Sequence, residues 1–316
     1  MMFNQPQLTH SIIMVKPIDF GFNEQTGQDN EYQQRPTQLT NKQVRQQALE
    51  EFQQMQQHLQ DKGVEIITLG KPQNSGPLPD AVFPNNWFST QADGKLIIYP
   101  MKTPNRQDEV QIDNLSNALK QRGYQISQQV DLRLNNPAHK ALEGTGSLVF
   151  HHPSRQVFAA LSERCDAHLL NQFATQFDYQ PVAFETQSCR GNPIYHTNVM
   201  MSCGQHFCLV TKEIIQTSKQ SLFKQLEATF DDVIIISEAQ MGQNFCGNII
   251  QLRSKSQSPL IVMSSSAFKG FEKAQQQQLE KHGELVICSI DTIEKIGGGS
   301  ARCMIAENFL PLQNRI

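Results

Sequence analysis

Five short polar segments recur along the chain at nearly constant intervals, each beside a run of strand-forming residues. One residue marks each segment, and the intervals between these residues are 57, 53, 48 and 59: Asn86, Glu143, His196, Asn244 and Cys303. A period of roughly 54 residues is typical of repeated supersecondary units. Five such units would gather their polar ends around one axis. Because ordinary α/β chains also carry polar loops at such intervals, the spacing alone leaves both interpretations open.

The pattern between these segments predicts a mixed α/β fold with many hairpins. Residues 41–63 form the clearest predicted helix, with an apolar stripe and a terminal Gly63: Val44, Leu49, Phe52, Met55 and Leu59. Residues 18–40 are predicted to be a long loop. Strands are predicted at 11–17, 64–69, 81–90 and 95–101, hairpins at 147–161, 198–210 and 247–265, and helices at 111–123, 164–176, 216–228 and 267–282. No low-complexity linker interrupts the sequence, so we expect one domain spanning 1–316.

Composition limits the class of protein. The 316 residues are 38% hydrophobic and 18% charged, with a net charge of −3, which does not favour nucleic acid as a partner. The N-terminal sequence has no pattern of a signal peptide, and the apolar runs are too short to cross a membrane. Seven cysteines without a C-x-x-C motif favour a reduced, cytoplasmic protein without a zinc site.

Three of the marked residues supply the side-chain types of cysteine-based covalent catalysis. Such catalysis needs a thiolate, an acid/base group and a group that orients the substrate, and Cys303, His196 and Glu143 are of these types. The sequence GGGSARC (297–303) places three glycines before the thiol, where they would let backbone approach a ligand closely and leave N–H groups free. An isolated cysteine is more often a buried small hydrophobic residue, and that alternative also stands at this point.

Several motifs together resemble the pentein superfamily of guanidine-modifying enzymes: PDAVFPNNWF, EGTGS, ALSER, HTN and GGGSARC. The resemblance covers essentially the whole chain and includes amidinotransferases, arginine deiminases and dimethylarginine dimethylaminohydrolases. It implies a five-bladed, pseudo-symmetric α/β propeller of ββαβ units. Residues 14–33 with FPNNWFS look most like the branch of citrulline-utilisation hydrolases.

The resemblance also implies roles for individual residues. Cys303 matches the family's nucleophile, His196 its general acid/base and Glu143 the carboxylate that binds substrate N–H groups. Asp80 matches a further acidic residue of the site, and Asn23 is placed near it through the loop pattern of the branch. Arg106 and Arg164 match arginines that hold the α-carboxylate of the substrate, a task that suits the planar guanidinium fork.

Two departures from the family pattern remove negative charge from this site. Asn85 and Asn86 stand where the family usually has an acidic residue at the second position, and Asn198 stands where deiminases often carry Asp. A guanidinium is a permanent cation and needs counter-charge when buried, whereas a ureido group is neutral. An Asn amide offers both a donor and an acceptor to such a group. The substitutions favour citrulline, while Glu143 and Asp80 keep arginine open.

We therefore expect a Cys303-dependent hydrolase acting on the ureido or guanidino carbon of a free amino acid. Citrulline would give ornithine, CO2 and ammonia, without cofactor or metal. The alternatives are amidino transfer to an amine acceptor and a non-catalytic binding protein of the same fold. The expected partner is a small amino-acid substrate, neither nucleic acid nor membrane, and the sequence leaves a homo-oligomer open.

Overall fold

The computed structural model describes residues 5–72, 75–134, 136 and 139–313. The strands in this part of the chain are β1 Ser11–Val15, β2 Glu65–Leu69, β3 Phe88–Thr90, β4 Lys95–Ile98, β5 Gln128–Asp131, β6 Val149–His151, β7 Gln156–Ala160, β8 Gln180–Phe184, β9 Met201–Cys203, β10 Phe207–Thr211, β11 Asp232–Ile236, β12 Ile250–Arg253, β13 Pro259–Ser264, β14 Glu284–Cys288 and β15 Ala306–Glu307. The helices are α1 Asn41–Asp61, α2 Pro104–Gln107, α3 Ile112–Gln121, α4 Gly144–Ser147, α5 Ala167–Phe177, α6 Thr197–Met200, α7 Lys219–Thr229, α8 Glu238–Asn244, α9 Ser265–Gly270, α10 Lys273–Glu280 and α11 Asp291–Gly297, with 3-10 turns at Thr26–Gln28 and Pro84–Asn86.

The strands of the described residues form five sheets of three strands each. In every sheet the middle strand is antiparallel to one neighbour and parallel to the other, and a helix lies in the parallel crossover. Four sheets follow chain order, as β3-β4-β5, β6-β7-β8, β9-β10-β11 and β12-β13-β14. The fifth has the order β15-β1-β2, so β15 supplies the strand that the unit beginning with β1 lacks. The predicted ββαβ repeat is confirmed.

Helix α1 illustrates how the local sequence determines where a helix begins, where it ends and which face it buries. Thr40 caps its first turn together with Gln43, and Gly63 follows its end with a φ of 81°, a conformation that glycine adopts without strain. Val44, Phe52, Met55 and Leu59 are buried as the stripe predicts, but Ala48 is buried at the position assigned to Leu49.

Two predicted elements are wrong in detail. The predicted strand at 81–90 is a strand only over Phe88–Thr90, because the chain turns through Pro84–Asn86 first. The predicted helix at 267–282 is divided into α9 and α10. Phe271 between them is extended and buried, and Gly270 lies so close to Asn244 that an added Cβ would be 2.4 Å from the Asn244 Cβ.

The segments that precede the first strand of each sheet meet at the centre and are hydrogen-bonded to one another in order. The bonds are Thr145 Oγ1 to the Asn85 carbonyl at 3.2 Å, Thr197 Oγ1 to the Ser147 carbonyl at 2.6 Å, Asn248 Nδ2 to the Asn198 carbonyl at 2.9 Å and the Cys303 N–H to Asn248 Oδ1 at 3.3 Å. Strands β3 and β15 complete the circle, since Thr90 Oγ1 donates to the Glu307 carbonyl at 2.9 Å. The contact is tight enough to require glycine at Gly144, which has a φ of 44° and where a Cβ would lie 2.4 Å from the Asn85 carbonyl oxygen. We call this arrangement the central ring.

Candidate active site

The Cys303 thiol lies in the central ring, in the turn between α11 and β15, and is buried at 4% exposure. Asn248 Nδ2 is 3.2 Å from its Sγ, and Asn198 Nδ2 is 3.4 Å away. Burial raises the pKa of Cys303, whereas a hydrogen bond from the Ser300 backbone N–H, the two amides and Arg302 act in the opposite direction without overcoming it. The resting group is therefore a thiol, and two amide donors are in place to stabilise the thiolate when it forms.

His196 and Glu143 form a buried pair in the same ring. His196 Nε2 is 2.7 Å from Glu143 Oε2, and the Lys102 backbone N–H donates to Glu143 Oε1 at 2.8 Å. Burial alone would raise the pKa of Glu143, but Arg164 and His196 hold it well below its usual range. The carboxylate must accept, so Nε2 carries the proton and Nδ1 has the free lone pair. Burial lowers the pKa of His196 despite Glu143, which makes the neutral imidazole available as a base.

The side chain of Asn86 borders the same space as His196. An added Cβ at Gly146 would lie 2.1 Å from Asn86 Nδ2 and 2.9 Å from His196 Nδ1. Asn86 Oδ1 accepts from Arg106 Nη1 at 2.7 Å, while its buried Nδ2 has no hydrogen-bond partner. The amide is thus held with its donor end toward the imidazole.

Arg106 does not present an open fork for a substrate carboxylate, contrary to the expectation from the sequence. Its guanidinium is 3% exposed and pairs with Glu109, with Nη2 2.8 Å from Glu109 Oε2 and Nε 3.0 Å from Oε1. Nη2 also donates to the Phe83 carbonyl at 2.8 Å. One Nη1 N–H goes to Asn86, so most of the hydrogen-bonding capacity of Arg106 is used by protein groups.

Arg164 is also engaged by the protein. Its Nε donates to Asp29 Oδ2 at 3.0 Å, Nη2 contacts Asp29 Oδ1, and Nη1 is 3.4 Å from Glu143 Oε2. Lys102 Nζ lies 2.8 Å from the same Asp29 carboxylate. The position expected to receive a substrate carboxylate is thus filled by a carboxylate of the 18–40 loop.

Asp80 and Asn23 lie together in the structure, and their roles toward a substrate stay predictions. Asn23 Nδ2 and Thr26 Oγ1 each donate to Asp80 Oδ2 at 2.7 Å, while the buried Asp80 Oδ1 has no partner. Burial raises the pKa of Asp80, against the attraction of Arg106. Further buried polar atoms without partners are Asn198 Oδ1 and both amide atoms of Asn85.

Asn248, rather than Asn244, is the fourth residue at the ring. Asn244 turns away, and its Nδ2 lies 3.4 Å from the Ser266 carbonyl. Asn248 is 52 residues after His196 and 55 before Cys303, a more regular interval than Asn244 gives. The shared asparagine of HTN and CGN was the signal that could have found it, and Glu109 and Asp29 had no comparable signal.

The three glycines before Cys303 allow neighbouring segments to pack closely against this turn. A Cβ on Gly299 would lie 2.9 Å from the Phe83 ring. Gly298 has a φ of 63°, and its carbonyl accepts from Tyr195 Oη at 2.8 Å and from Asn30 Nδ2 at 3.2 Å. The glycines thus seat the 18–40 loop over the ring.

Within the described residues, no helix is long and apolar enough to span a membrane, and no group of three or more His, Cys, Asp or Glu side chains is arranged to hold a metal ion.

Five ββαβ units around a buried polar centre define the pentein class of fold, and structural neighbours agree with this. The full-length apo arginine dihydrolase ArgZ of the cyanobacterial ornithine–ammonia cycle matches at a TM-score of 0.72 and 16% identity, over 96% of this chain and 41% of that one. Its substrate-bound N-terminal domain matches at 0.69 and 16%, over 95% and 99%. DDAH from Pseudomonas aeruginosa, a mutant complexed with citrulline, matches at 0.65 and 14%, over 95% and 99%. This chain thus spans 41% of full-length ArgZ.

A comparison of the sequence with family models identifies the particular family. The profile of the family described as N,N dimethylarginine dimethylhydrolase, eukaryotic, matches residues 16–310, and the chain belongs to this family. A search of curated proteins gives no match. The family and the structural neighbours are carbon–nitrogen hydrolases of the pentein superfamily, which favours an enzyme over a binding protein.

Proposed function

We propose that the protein hydrolyses the ureido carbon of L-citrulline, or the guanidino carbon of a related amino acid, through a covalent Cys303 intermediate. The observation that carries the proposal is the pattern of buried polar atoms without partners. Asn86 Nδ2 is a donor, whereas Asp80 Oδ1 and Asn198 Oδ1 are acceptors. A ureido group has one carbonyl acceptor and N–H donors, so it complements this pattern.

The orientation of Asn86 favours a ureido over a guanidinium group. An arginine has only donors, so Arg106 Nη1 at 2.7 Å requires Asn86 Oδ1 to face it. The amide then offers only N–H groups to the substrate. A guanidinium carries donors all round and would leave this contact unmade, whereas a ureido oxygen accepts it.

Hydrolysis would proceed in two steps. The Cys303 proton passes to His196 Nδ1, and the thiolate attacks the ureido carbon. The bond from this carbon to the side-chain nitrogen breaks as His196 protonates the departing ornithine amine. His196 then takes a proton from water, whose hydroxide attacks the S-carbamoyl carbon. The C–S bond breaks, the thiolate regains a proton, and carbamic acid decomposes to CO2 and ammonia.

Arginine is the second candidate substrate, and two carboxylates support it. Glu143 and Asp80 are both buried and could pair a guanidinium. Attack would release ammonia and leave a thiouronium, whose hydrolysis gives citrulline. The relatives solved with substrate include an arginine dihydrolase, so successive hydrolysis of arginine and citrulline at one site belongs to this proposal. Nothing described in the structure favours transfer to an amine acceptor over water.

The substrate's α-carboxylate is assigned to Arg164 and Lys102, whose positive charges Asp29 now occupies. A carboxylate entering there would displace that of Asp29, and the 18–40 loop would move with it. We propose one catalytic domain over 1–316 that binds a small amino acid.

The test is product analysis with purified protein. L-citrulline, L-arginine and N,N-dimethylarginine are supplied in parallel, and ornithine, citrulline, ammonia and dimethylamine are quantified. Cys303→Ala should abolish every product, and Cys189→Ala, at an exposed thiol, is the matched control that should retain activity. Ornithine and ammonia from citrulline support the proposal. No product from any of the three compounds, or activity in Cys303→Ala, would overturn it, and activity on dimethylarginine alone would overturn the preference for a ureido substrate.

A further inference from the structure

We infer that Glu109 and Arg106 are positioning residues that fix the orientation of the Asn86 amide and thereby set the preference for a carbonyl-bearing over a guanidino substrate. This inference rests on the proposed function, because it concerns selectivity at the same site. It gives Arg106 a different task from the carboxylate binding that its motif suggested.

The contacts form a continuous chain from Glu109 to the site. Glu109 and Arg106 are 2% and 3% exposed, and two guanidinium nitrogens engage the carboxylate, Nε at 3.0 Å and Nη2 at 2.8 Å. Nη1 reaches Asn86 Oδ1 at 2.7 Å. The Phe83 carbonyl holds Nη2 at 2.8 Å from the opposite side. With the guanidinium plane fixed at these points, the position of Nη1 is fixed as well.

This series of contacts determines which end of the Asn86 amide faces the substrate. The two ends of an asparagine amide differ little in shape, so a free Asn86 could present either one. Rotation by half a turn would place Nδ2 against Arg106 Nη1 at the observed 2.7 Å, two donors facing each other in a buried site. Arg106 therefore excludes the orientation in which Asn86 Oδ1 would accept a hydrogen bond from the guanidinium of a substrate.

Glu109 is needed because Arg106 is buried. A buried guanidinium without a counter-charge is strongly unfavourable, and Glu109 supplies that charge three residues along the chain. The Glu109 carboxylate hydrogen-bonds to Arg106, but its charge also acts on the Asp80 and Glu143 carboxylates. Arg106→Lys, which keeps the charge, is therefore the more direct test of the orienting role.

The inference is tested by the ratio of kcat/KM for citrulline to kcat/KM for arginine. Arg106→Lys keeps the charge but has a single ammonium that cannot span Glu109 and Asn86. We expect the ratio to fall about tenfold, because a buried hydrogen-bonding group of the substrate or of Asn86 would be left without its partner. Glu109→Gln should lower the ratio less, since its amide oxygen keeps one bond to Arg106.

Arg155→Lys is the matched control. Arg155 binds the Asp178 and Phe177 carbonyls far along the chain from the site and should affect stability without changing the ratio. Melting temperatures of all variants are measured together. If Arg106→Lys and Glu109→Gln lower both kcat/KM values equally, these residues are merely structural and the inference is overturned. If the wild type hydrolyses neither substrate, the proposed function fails and the inference fails with it.

Discussion

Replacing Asn86 by Asp should shift the substrate preference from citrulline toward arginine. An aspartate at this position keeps an oxygen toward Arg106 Nη1, where Asn86 Oδ1 now accepts at 2.7 Å. Its second oxygen replaces Nδ2, the buried donor that has no partner in the protein. The substitution therefore exchanges a donor for an acceptor at the point assigned to the substrate oxygen.

The size of the effect follows from this exchange. Leaving the citrulline oxygen opposite an acceptor costs about 1–3 kcal/mol, or roughly 5- to 150-fold in kcat/KM. A guanidinium gains an acceptor at the same place, so its kcat/KM should be maintained or rise. The ratio of the two should fall by at least roughly fivefold.

The assay separates this mechanism from general damage. Ornithine from citrulline, and citrulline plus ornithine from arginine, are measured at equal enzyme concentration, with Asn86→Ala and the exposed Asn171→Asp alongside. Asn86→Ala should lose citrulline activity without gaining arginine activity, and Asn171→Asp should match the wild type. A ratio in Asn86→Asp within threefold of the wild type would refute the argument that the amide orientation selects the substrate.

Three further outcomes are expected. Asn248→Ala, in a Cys189→Ala background, should slow iodoacetamide alkylation of Cys303, because it removes an amide donor 3.2 Å from Sγ. Since burial raises the pKa of that thiol, the alkylation rate of the Cys189→Ala parent should keep rising with pH above neutrality. A plateau of the rate near neutral pH would contradict this. Gly146→Ala should lower kcat at least about tenfold and also lower the melting temperature, since its methyl would lie 2.1 Å from the buried Asn86 Nδ2; undiminished kcat would contradict it. Asp29→Asn should lower the KM for citrulline and leave that of its decarboxylated analogue unchanged, whereas equal changes would argue against competition for Arg164.

The fold could be predicted well because the helices and strands of each repeat have signals that lie within a short stretch of sequence. Helix α1 has its cap, its apolar stripe and its terminal glycine within one segment, and each can be recognised without tertiary information. The division of the predicted helix at 267–282 could not be seen, because it depends on the packing of Phe271 and on the approach of Gly270 to Asn244.

The polar residues were harder to assign than the elements that carry them. The spacing between the polar segments located the fourth ring residue only to within a few positions. This precision is too low to distinguish Asn244 from Asn248. The arginines show a different difficulty. Residue type indicates that Arg106 and Arg164 bind carboxylates, but only the structure shows that Glu109 and Asp29 are the carboxylates bound. Their roles toward a substrate remain predictions.

The closure of the first sheet by β15 has a consequence for how the protein matures. Ile13 pairs with Ala306, almost the whole length of the chain away, and Cys303 lies just before that strand. Contacts so distant in sequence form late, since the entropy of closing a long loop must be overcome before the pairing stabilises it. During synthesis, the strands of the other four sheets have all been translated before the thiol. The nucleophile is therefore the last part of the centre to be made, and a partly made chain has no reactive thiol at this site.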